Sequence, residues 1–313
     1  MTVKNPSTTK VSLQVPAKVN PQVRVGPLRK DGYHDVTLVY QAISLYDILT
    51  VSSSSQGPSI SIAGIDSHRI PIDGQNLVIK AAILLGNHVK IEPRVHFELV
   101  KSIPIEAGLG GGSADAAAAL VGCNLLWKAD LSTDDLMALG AHIGEDVPFF
   151  IKGMMALGMG HKQPLISLKT SKFTWHWVLG VPFGGLSTRA VFGKHDDILS
   201  GSLETEREYL RNRTNCIQTP WGIKDPIELL PDLINDLEIP SAQLHPDITS
   251  ALRVGQSAGA ISSLMSGSGS TCAFLAKDEA HARSLMTKLQ EEKVFRAVIQ
   301  VSGPVEGVKI IKS

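Results

Sequence analysis

The most informative segment of the sequence runs from Ile103 to Ala117 and reads IPIEAGLGGGSADAA. Its glycines, at positions 108, 110, 111 and 112, permit backbone conformations closed to other residues and let a ligand approach the main chain closely. The alanine-rich run that follows predicts a helix, so free amide groups and the positive end of a helix dipole face the same space. We therefore predict an anion-binding loop at Gly108–Gly112.

The order of residues in this loop excludes two commoner phosphate-binding motifs. No Gly-Lys-Ser/Thr triplet ends it, so it is not the loop of a P-loop NTPase. Ser113 stands where a dinucleotide-binding fingerprint has its third glycine. The alternative interpretation is a flexible hinge or a glycine cluster at a helix-packing contact.

The composition is that of an ordinary globular protein. Of 313 residues, 43% are hydrophobic and 19% charged, and thirty basic side chains balance thirty acidic ones. A chain of this length is comfortable for two packed domains. Because no net charge attracts a polyanion, we do not expect nucleic acid as a partner.

The sequence predicts a cytoplasmic protein without a membrane segment. Met1–Lys10 is polar, lacks the apolar region of a secretory signal and is predicted to be a disordered tail. No apolar stretch approaches the length of a bilayer span. Cys123, Cys216 and Cys272 are scattered without metal-ligand spacing, which favours a reducing compartment and buried thiols. The sequence leaves a monomer and a homodimer equally open.

Strand and helix patterns alternate irregularly, which predicts an α+β fold rather than regular βαβ units. Ser113–Trp127 is nearly all alanine and leucine, with no polar face, and predicts a buried helix. Ser132 has the form of an N-cap that opens a helix ending near Gly144. We place the domain boundary between Pro164 and Trp175, which gives domains 1–168 and 169–313.

Two segments near the N-terminus carry polar groups. Lys18 and Asn20 alternate along a predicted strand and therefore share a face. If Lys18 points inward, its charge needs a carboxylate or a ligand anion as partner. The sequence equally allows Lys18 to be a solvent-facing lysine on an edge strand. Asp31-Gly-Tyr-His34 predicts a turn that brings Tyr33 and His34 to a strand, and by itself it indicates an ordinary β-turn.

Two later segments are also candidates. Gly144–Pro148 places acidic residues, including Asp146, at a predicted helix end where the helix dipole disfavours negative charge. This position indicates either a functional carboxylate or an ordinary aspartate in a turn. Met265–Thr271 is a second loop of small residues between predicted strands. It is either a flexible turn or a source of further amides around a phosphate.

Taken in order, these segments resemble the motifs of the GHMP kinase superfamily. Pro104–Ala114 is similar to its phosphate-binding motif, Val15–Asn20 to its N-terminal motif and Leu264–Thr271 to its C-terminal glycine motif. The resemblance extends from about Val11 to the C-terminus.

The Asp31–His34 turn and Asn235–Leu237 resemble the branch of this superfamily whose acceptor is a cytidine diphosphate-linked methylerythritol. The resemblance implies an N-terminal domain like domain 2 of ribosomal protein S5 and a ferredoxin-like C-terminal domain. It also implies a kinase that transfers a phosphoryl group from ATP, screened by Mg²⁺, to the 2-hydroxyl of that small-molecule substrate.

The resemblance further implies roles for single residues. Asp146 would be the catalytic base and Lys18 its charged partner. Tyr33 and His34 would hold the cytosine of the substrate, and Phe192 would stack on it. Asn20 would lie near the substrate. The nucleotide would be bound by the loop residues Pro104, Glu106, Ala107, Gly108, Leu109, Gly110, Gly111, Gly112, Ser113 and Ala114. No side chain is predicted as a metal ligand.

The chain departs from the family pattern at three places, one of which is the plain loop Phe183-Gly-Gly185. Pro21 cannot donate to a strand ladder, so we expect the strand to end or bulge there. Gly158-Met-Gly-His161 stands where the family commonly has a charged run.

Two other functions are kept as alternatives. The first is a GHMP kinase for another alcohol, which the Tyr33–His34 pair disfavours. The second is a GHMP-fold ligand sensor without catalysis, which the presence of both Lys18 and Asp146 disfavours.

Overall fold

The computed structural model describes residues 10–160, 164–169, 173–200, 203–221 and 223–312. Within these ranges the chain forms two β-sheets flanked by helices, which confirms the predicted α+β class. Residues 1–9 of the predicted tail and the departure at His161 lie outside the described residues, whereas Lys10, the last residue of that tail, begins a strand. None of the described helices combines the length and the apolar character needed to cross a bilayer.

The first sheet is built on two long antiparallel strands, β1 (Lys10–Leu28) and β2 (His34–Ser53), joined by a turn at residues 29–33. Its other strands are β3 (Ser59–Gly64), β4 (Val95–Lys101), β5 (Met155–Met159), β6 (Ile166–Ser167), β8 (Ile234–Asn235) and β12 (Lys309–Lys312). The order is β12-β1-β2-β4-β3, while β5 pairs with β2 and β6, and β8 pairs with β1. The last strand of the chain thus returns to the first sheet.

The proline in β1 has the predicted effect on pairing. The register between β1 and β2 shifts between Val19 and Gln22, on either side of Pro21. The strand therefore bulges at the proline and continues, since a residue without an N–H leaves one rung of the ladder unmade.

One face of the first sheet is covered by helices. These are α1 (Leu77–Val89), α2 (Gly111–Trp127), α3 (Thr133–Gly140) and α4 (Val147–Lys152). Helix α2 packs on β1, β2 and α1 and is buried along most of its length, as its lack of a polar face predicted. It approaches the sheet so closely that a Cβ on Gly122 would lie 2.5 Å from Val51 Cγ2.

The segment between α3 and α4 differs from the prediction. Ser132 is the N-cap of α3, with reciprocal hydrogen bonds to Asp135, but the helix ends at Gly140 rather than near Gly144. After turns, α4 begins with Asp146 at its N-cap position. The prediction that the dipole disfavours these carboxylates is therefore wrong, because they precede a helix N-terminus, where negative charge is stabilised.

The second sheet is antiparallel, with the order β11-β7-β10-β9. Its strands are β7 (Trp175–Pro182), β9 (Ser262–Met265), β10 (Cys272–Ala276) and β11 (Phe295–Gly303). The helices in this half are α5 (Thr188–Leu199), α6 (Leu203–Gln218), α7 (Glu238–Leu244), α8 (Asp247–Ala258) and α9 (Glu279–Gln290). The described residues between Asp196 and Gln218 lie mostly in α5 and α6.

The second sheet is buried on both faces. Along β7, Trp177 and Leu179 enter the core shared with the first sheet, whereas Val178 packs in the core beneath α8 and α9. Trp177 Nε1 donates to Gln41 Oε1 of β2 at 2.8 Å, which links the two sheets. The boundary placed near residue 168 stays a prediction.

Candidate active site

The glycine loop connects β4 to α2 and contains the left-handed backbone conformations that glycine permits. Glu106, Gly108 and Gly110 have φ angles of 53°, 73° and 75°. A Cβ on Gly108 would lie 2.3 Å from the carbonyl oxygen of Ser266, and one on Gly110 would lie 2.5 Å from Phe150 Cζ. At both positions only glycine combines the left-handed backbone with the space available.

A cavity of about 570 Å³ opens over this loop and the N-terminus of α2. Twelve of the predicted site residues line it, namely Lys18, Asn20, Pro104, Glu106, Ala107, Gly108, Gly110, Gly111, Gly112, Ser113, Asp146 and Phe192. Leu109 and Ala114 are buried and do not line the cavity, and neither do Tyr33 and His34. The first turn of α2 therefore faces the enclosed space.

Lys18 and Asn20 lie on the same inward face of β1. The Lys18 ammonium donates to Asn20 Oδ1, and Asn20 Nδ2 donates to the carbonyl of Val39 at 3.1 Å. Burial lowers the pKa of Lys18, and the Asp146 carboxylate acts in the opposite direction. The lysine is thus a buried cation of the cavity wall whose charge Asp146 stabilises.

Tyr40, which the sequence analysis missed, holds Asp146 in place. Its hydroxyl donates to Asp146 Oδ1 at 2.9 Å, and its ring stacks on Phe149 with centroids 4.9 Å apart. Burial, together with the neighbouring Asp146 charge, raises the pKa of Tyr40 well above its usual range, so the phenol stays a donor. Tyr40 lies in an ordinary strand pattern, and no local signal marks it.

A buried lysine cluster, defined by Lys101, Asp47 and Asp115, lies behind the glycine loop. Lys101 Nζ contacts Asp47 Oδ2 and lies 2.7 Å from Asp115 Oδ2. A Cβ on Gly111 would lie 3.0 Å from that ammonium nitrogen. The Lys101 cation therefore lies directly next to the backbone of the predicted anion-binding loop.

The carboxylates of this cluster have different surroundings. Asp47 Oδ1 accepts from the amides of Ser102 and Ile103 at 2.6 and 2.9 Å. Asp115 Oδ1 is buried without a hydrogen-bond partner among the described residues. Burial raises the pKa of Asp115 well above its usual range, although Lys101 opposes the shift. The sequence signal was the acidic residue within an otherwise apolar helix.

The loop between β9 and β10 closes the site from the second sheet. Thr271 N donates to the carbonyl of Ala107 at 3.3 Å, and Ser266 Oγ donates to that of Gly108 at 3.4 Å. A Cβ on Gly267 would lie 3.0 Å from Lys18 Nζ. Asn235 Nδ2 fixes the loop by donating to the carbonyl of Gly267 at 2.7 Å. The two small-residue loops are therefore in contact.

The structure brings His34 and Phe192 together beside the cavity, whereas Tyr33 does not line it. The rings of His34 and Phe192 stack with centroids 5.3 Å apart, and Phe192 forms part of the cavity wall. His34 Nδ1 lies 2.7 Å from the carbonyl oxygen of Gly26. Tyr33 is 55% exposed in the turn between β1 and β2. The substrate roles of these residues stay predictions.

Comparison with known proteins gives consistent matches over the chain. The models of the GHMP kinases N terminal domain and the GHMP kinases C terminal domain match residues 76–154 and 223–294. A 4-diphosphocytidyl-2-C-methyl-D-erythritol kinase of Nocardia farcinica is 42% identical over 96% of both chains. The enzyme of that name from Thermobifida fusca is 38% identical, covering 97% of this chain and 99% of the relative.

Solved structures agree. A crystal structure of 4-(cytidine 5'-diphospho)-2C-methyl-D-erythritol kinase superposes with a TM-score of 0.71 at 29% identity, covering 93% of this chain and 99% of the other. Homoserine kinase from Cytophaga hutchinsonii superposes with a TM-score of 0.74 at 17% identity, covering 99% and 100%, and so shares the fold. The sequence motifs, the two-sheet architecture and these full-length matches agree: the chain belongs to the 4-diphosphocytidyl-2-C-methyl-D-erythritol kinase family of the GHMP kinases.

Proposed function

We propose that this protein transfers the γ-phosphoryl group of ATP to the 2-hydroxyl of 4-diphosphocytidyl-2-C-methyl-D-erythritol, a step of non-mevalonate isoprenoid precursor synthesis. The observation that carries the proposal is that Lys18, Asp146 and the glycine loop line one cavity. A base, a buried cation and a row of helix N-terminal amides are the parts that phosphoryl transfer to an alcohol needs.

The chemistry divides among these residues as follows. Asp146 accepts the proton of the acceptor hydroxyl, and the oxygen bonds to the γ-phosphorus while the bond to the β,γ-bridging oxygen breaks and ADP leaves. Lys18 neutralises charge on the attacking oxygen, and Tyr40 keeps Asp146 oriented through its 2.9 Å hydrogen bond. The amides of Gly110–Ser113 cradle the phosphates, with the Lys101 ammonium behind them.

The donor set fits Mg²⁺, which prefers oxygen ligands. The Ser113 hydroxyl and the Glu145 carboxylate both border the cavity, and a Cβ on Gly144 would lie 3.7 Å from Ser113 Oγ, so the two segments adjoin. We assign these two side chains to hold the ion together with phosphate oxygens. The ion, when bound, neutralises phosphate charge.

The lining of the cavity suggests how the substrates lie. Residues 69–71 and 75–77 line the wall together with Pro104, where the adenosine would fit, and Phe192 lines it from the second half of the chain, where the pyrimidine would stack. Tyr33 would then have to fold over the base on binding. Buried free thiols at Cys123 and Cys272 suit the reducing cytoplasm as the cellular site.

The test is ADP release by the purified protein with Mg·ATP and one alcohol at a time. We expect turnover with the cytidine-bearing alcohol and none with mevalonate, homoserine or galactose. Turnover with one of the other alcohols would keep the mechanism and discard the proposed substrate. ATP binding without any turnover would support a ligand sensor.

The base is tested by a matched pair of substitutions. Asp146→Asn should lower kcat by about 10²–10⁴-fold with little change in ATP affinity, because general-base catalysis contributes that much. Asp134→Asn removes the same charge from an exposed position of α3 and should leave kcat unchanged. An unchanged kcat for Asp146→Asn would remove this residue from the mechanism.

A further inference from the structure

Two imidazoles and a carboxylate meet beside the active-site cavity. They are His34 at the start of β2 and His195 and Asp196 on α5, and one ligand atom from each lies within 4.8 Å of the others. We propose that this cluster is a binding site for a divalent cation that prefers imidazole, with Zn²⁺ as the representative ion. The ion would take no part in the phosphoryl-transfer step proposed above, although its ligand His34 is also a predicted substrate contact.

The helix geometry directs these groups to one place. Phe192, His195 and Asp196 are spaced i, i+3 and i+4 on α5, so they share one helix face. That face of α5 covers His34. The His34 ring stacks on the Phe192 ring and meets the His195 ring edge-on, with the two imidazole centroids 5.7 Å apart. The cluster thus joins the first sheet to a helix of the second half of the chain.

The hydrogen bonds leave ligand atoms unused. His34 Nδ1 lies 2.7 Å from the carbonyl oxygen of Gly26, the contact that fixes the tautomer of a metal-binding histidine and presents Nε2 to the ion. His34 Nε2 and His195 Nδ1 are buried and make no hydrogen bond of good geometry within the described ranges, although both face the Asp196 carboxylate. Both side chains are only 6% exposed, so water does not readily satisfy them.

The distances suit a small cation with little rearrangement. Asp196 Oδ1 lies 3.0 Å from His34 Nε2 and 3.9 Å from His195 Nδ1. Tetrahedral ligands bound at about 2.0–2.1 Å are about 3.4 Å apart, between these two values. Asp196 is 36% exposed, which leaves an entry path and room for a water ligand.

The chemistry of the ligands selects the class of ion. Two nitrogen donors and one oxygen donor suit Zn²⁺ and its neighbours, whereas Mg²⁺ requires oxygen ligands. The Mg²⁺ expected with ATP is therefore not the ion of this site. An ion here would fix α5, and with it Phe192, against β2.

The experiment measures Zn²⁺ binding to full-length protein without an affinity tag, freed of metal with a chelator. A chromophoric chelator that competes for Zn²⁺ reports the stoichiometry and Kd without ATP or the alcohol. We expect one Zn²⁺ per chain. His195→Gln and Asp196→Asn should each raise Kd at least about tenfold, since even outer-shell partners contribute about 10–100-fold.

A matched control and a second probe keep the result specific. His88→Gln removes an exposed histidine from α1 and should leave Kd unchanged. Co²⁺ should give visible absorption bands of a low-coordinate site in the wild type but not in His195→Gln, with circular dichroism confirming that the metal-free variant is folded. If the wild type binds no stoichiometric Zn²⁺, or His195→Gln binds it equally well, the proposal is overturned and the cluster is only an ion pair.

Discussion

Gly110 offers the sharpest test of how the glycine loop is built, because its neighbour Gly112 provides a control two residues away. Gly110 has φ of 75°, and a Cβ there would lie 2.5 Å from Phe150 Cζ and 3.3 Å from Lys18 Cγ. Gly112 has no left-handed φ, and its nearest atom would be Leu77 Cδ1 at 3.6 Å, an ordinary contact.

The expected magnitudes follow from these contacts. In Gly110→Ala, a left-handed backbone with a Cβ costs about 1–2 kcal/mol. Displacing the fully buried Phe150 ring adds about 1–3 kcal/mol of overpacking. We therefore expect the free energy of unfolding to fall by about 2–5 kcal/mol. Gly112→Ala, in the first turn of α2, should change it by no more than about 1 kcal/mol, in the stabilising direction.

Urea unfolding followed by tryptophan fluorescence measures both variants, and ADP release measures turnover. Gly110→Ala should also lower kcat, because the new methyl group pushes against the stem of Lys18. Two results would refute the reasoning: a loss below about 1 kcal/mol for Gly110→Ala, or equal losses for the two variants. Either result would mean that the loop can accommodate a side chain at position 110 at little cost in stability.

Three further predictions test the groups around the loop. Lys101→Met should lower the free energy of unfolding by about 3–5 kcal/mol, measured in urea, because it leaves two buried carboxylates unpaired; the exposed Lys80→Met is the control. Tyr40→Phe should lower kcat about tenfold in steady-state assays, since about 1–3 kcal/mol of hydrogen bonding to Asp146 is lost; a change in the KM of ATP alone would contradict this orienting role. Because burial lowers the pKa of Lys18, this ammonium loses its proton, and kcat/KM should fall, at a lower pH than for a free lysine. Whatever activity Lys18→Arg retains should lack that alkaline fall in a pH–rate profile, since arginine stays charged.

The sequence by itself determined the features that depend on neighbours along the chain. The glycine loop, the buried alanine helix after it, the capped start at Ser132 and the bulge at Pro21 all follow from local backbone freedom, burial pattern or a missing N–H. The order of motifs also identified the superfamily. The end of α3 was predicted wrongly, since helix termini depend on packing that a hydrophobic pattern does not encode.

Tertiary structure alone decided which distant groups meet. Tyr40 contacts Asp146 across 106 positions, and Ser266 contacts Gly108 across 158. The junction of His34 with His195 and Asp196 likewise requires a helix from the second half of the chain to cover the start of β2. Such contacts follow from how two sheets share one core, and side-chain type and local spacing carry no signal for them. The sequence therefore supplied the chemical groups, and packing supplied their positions.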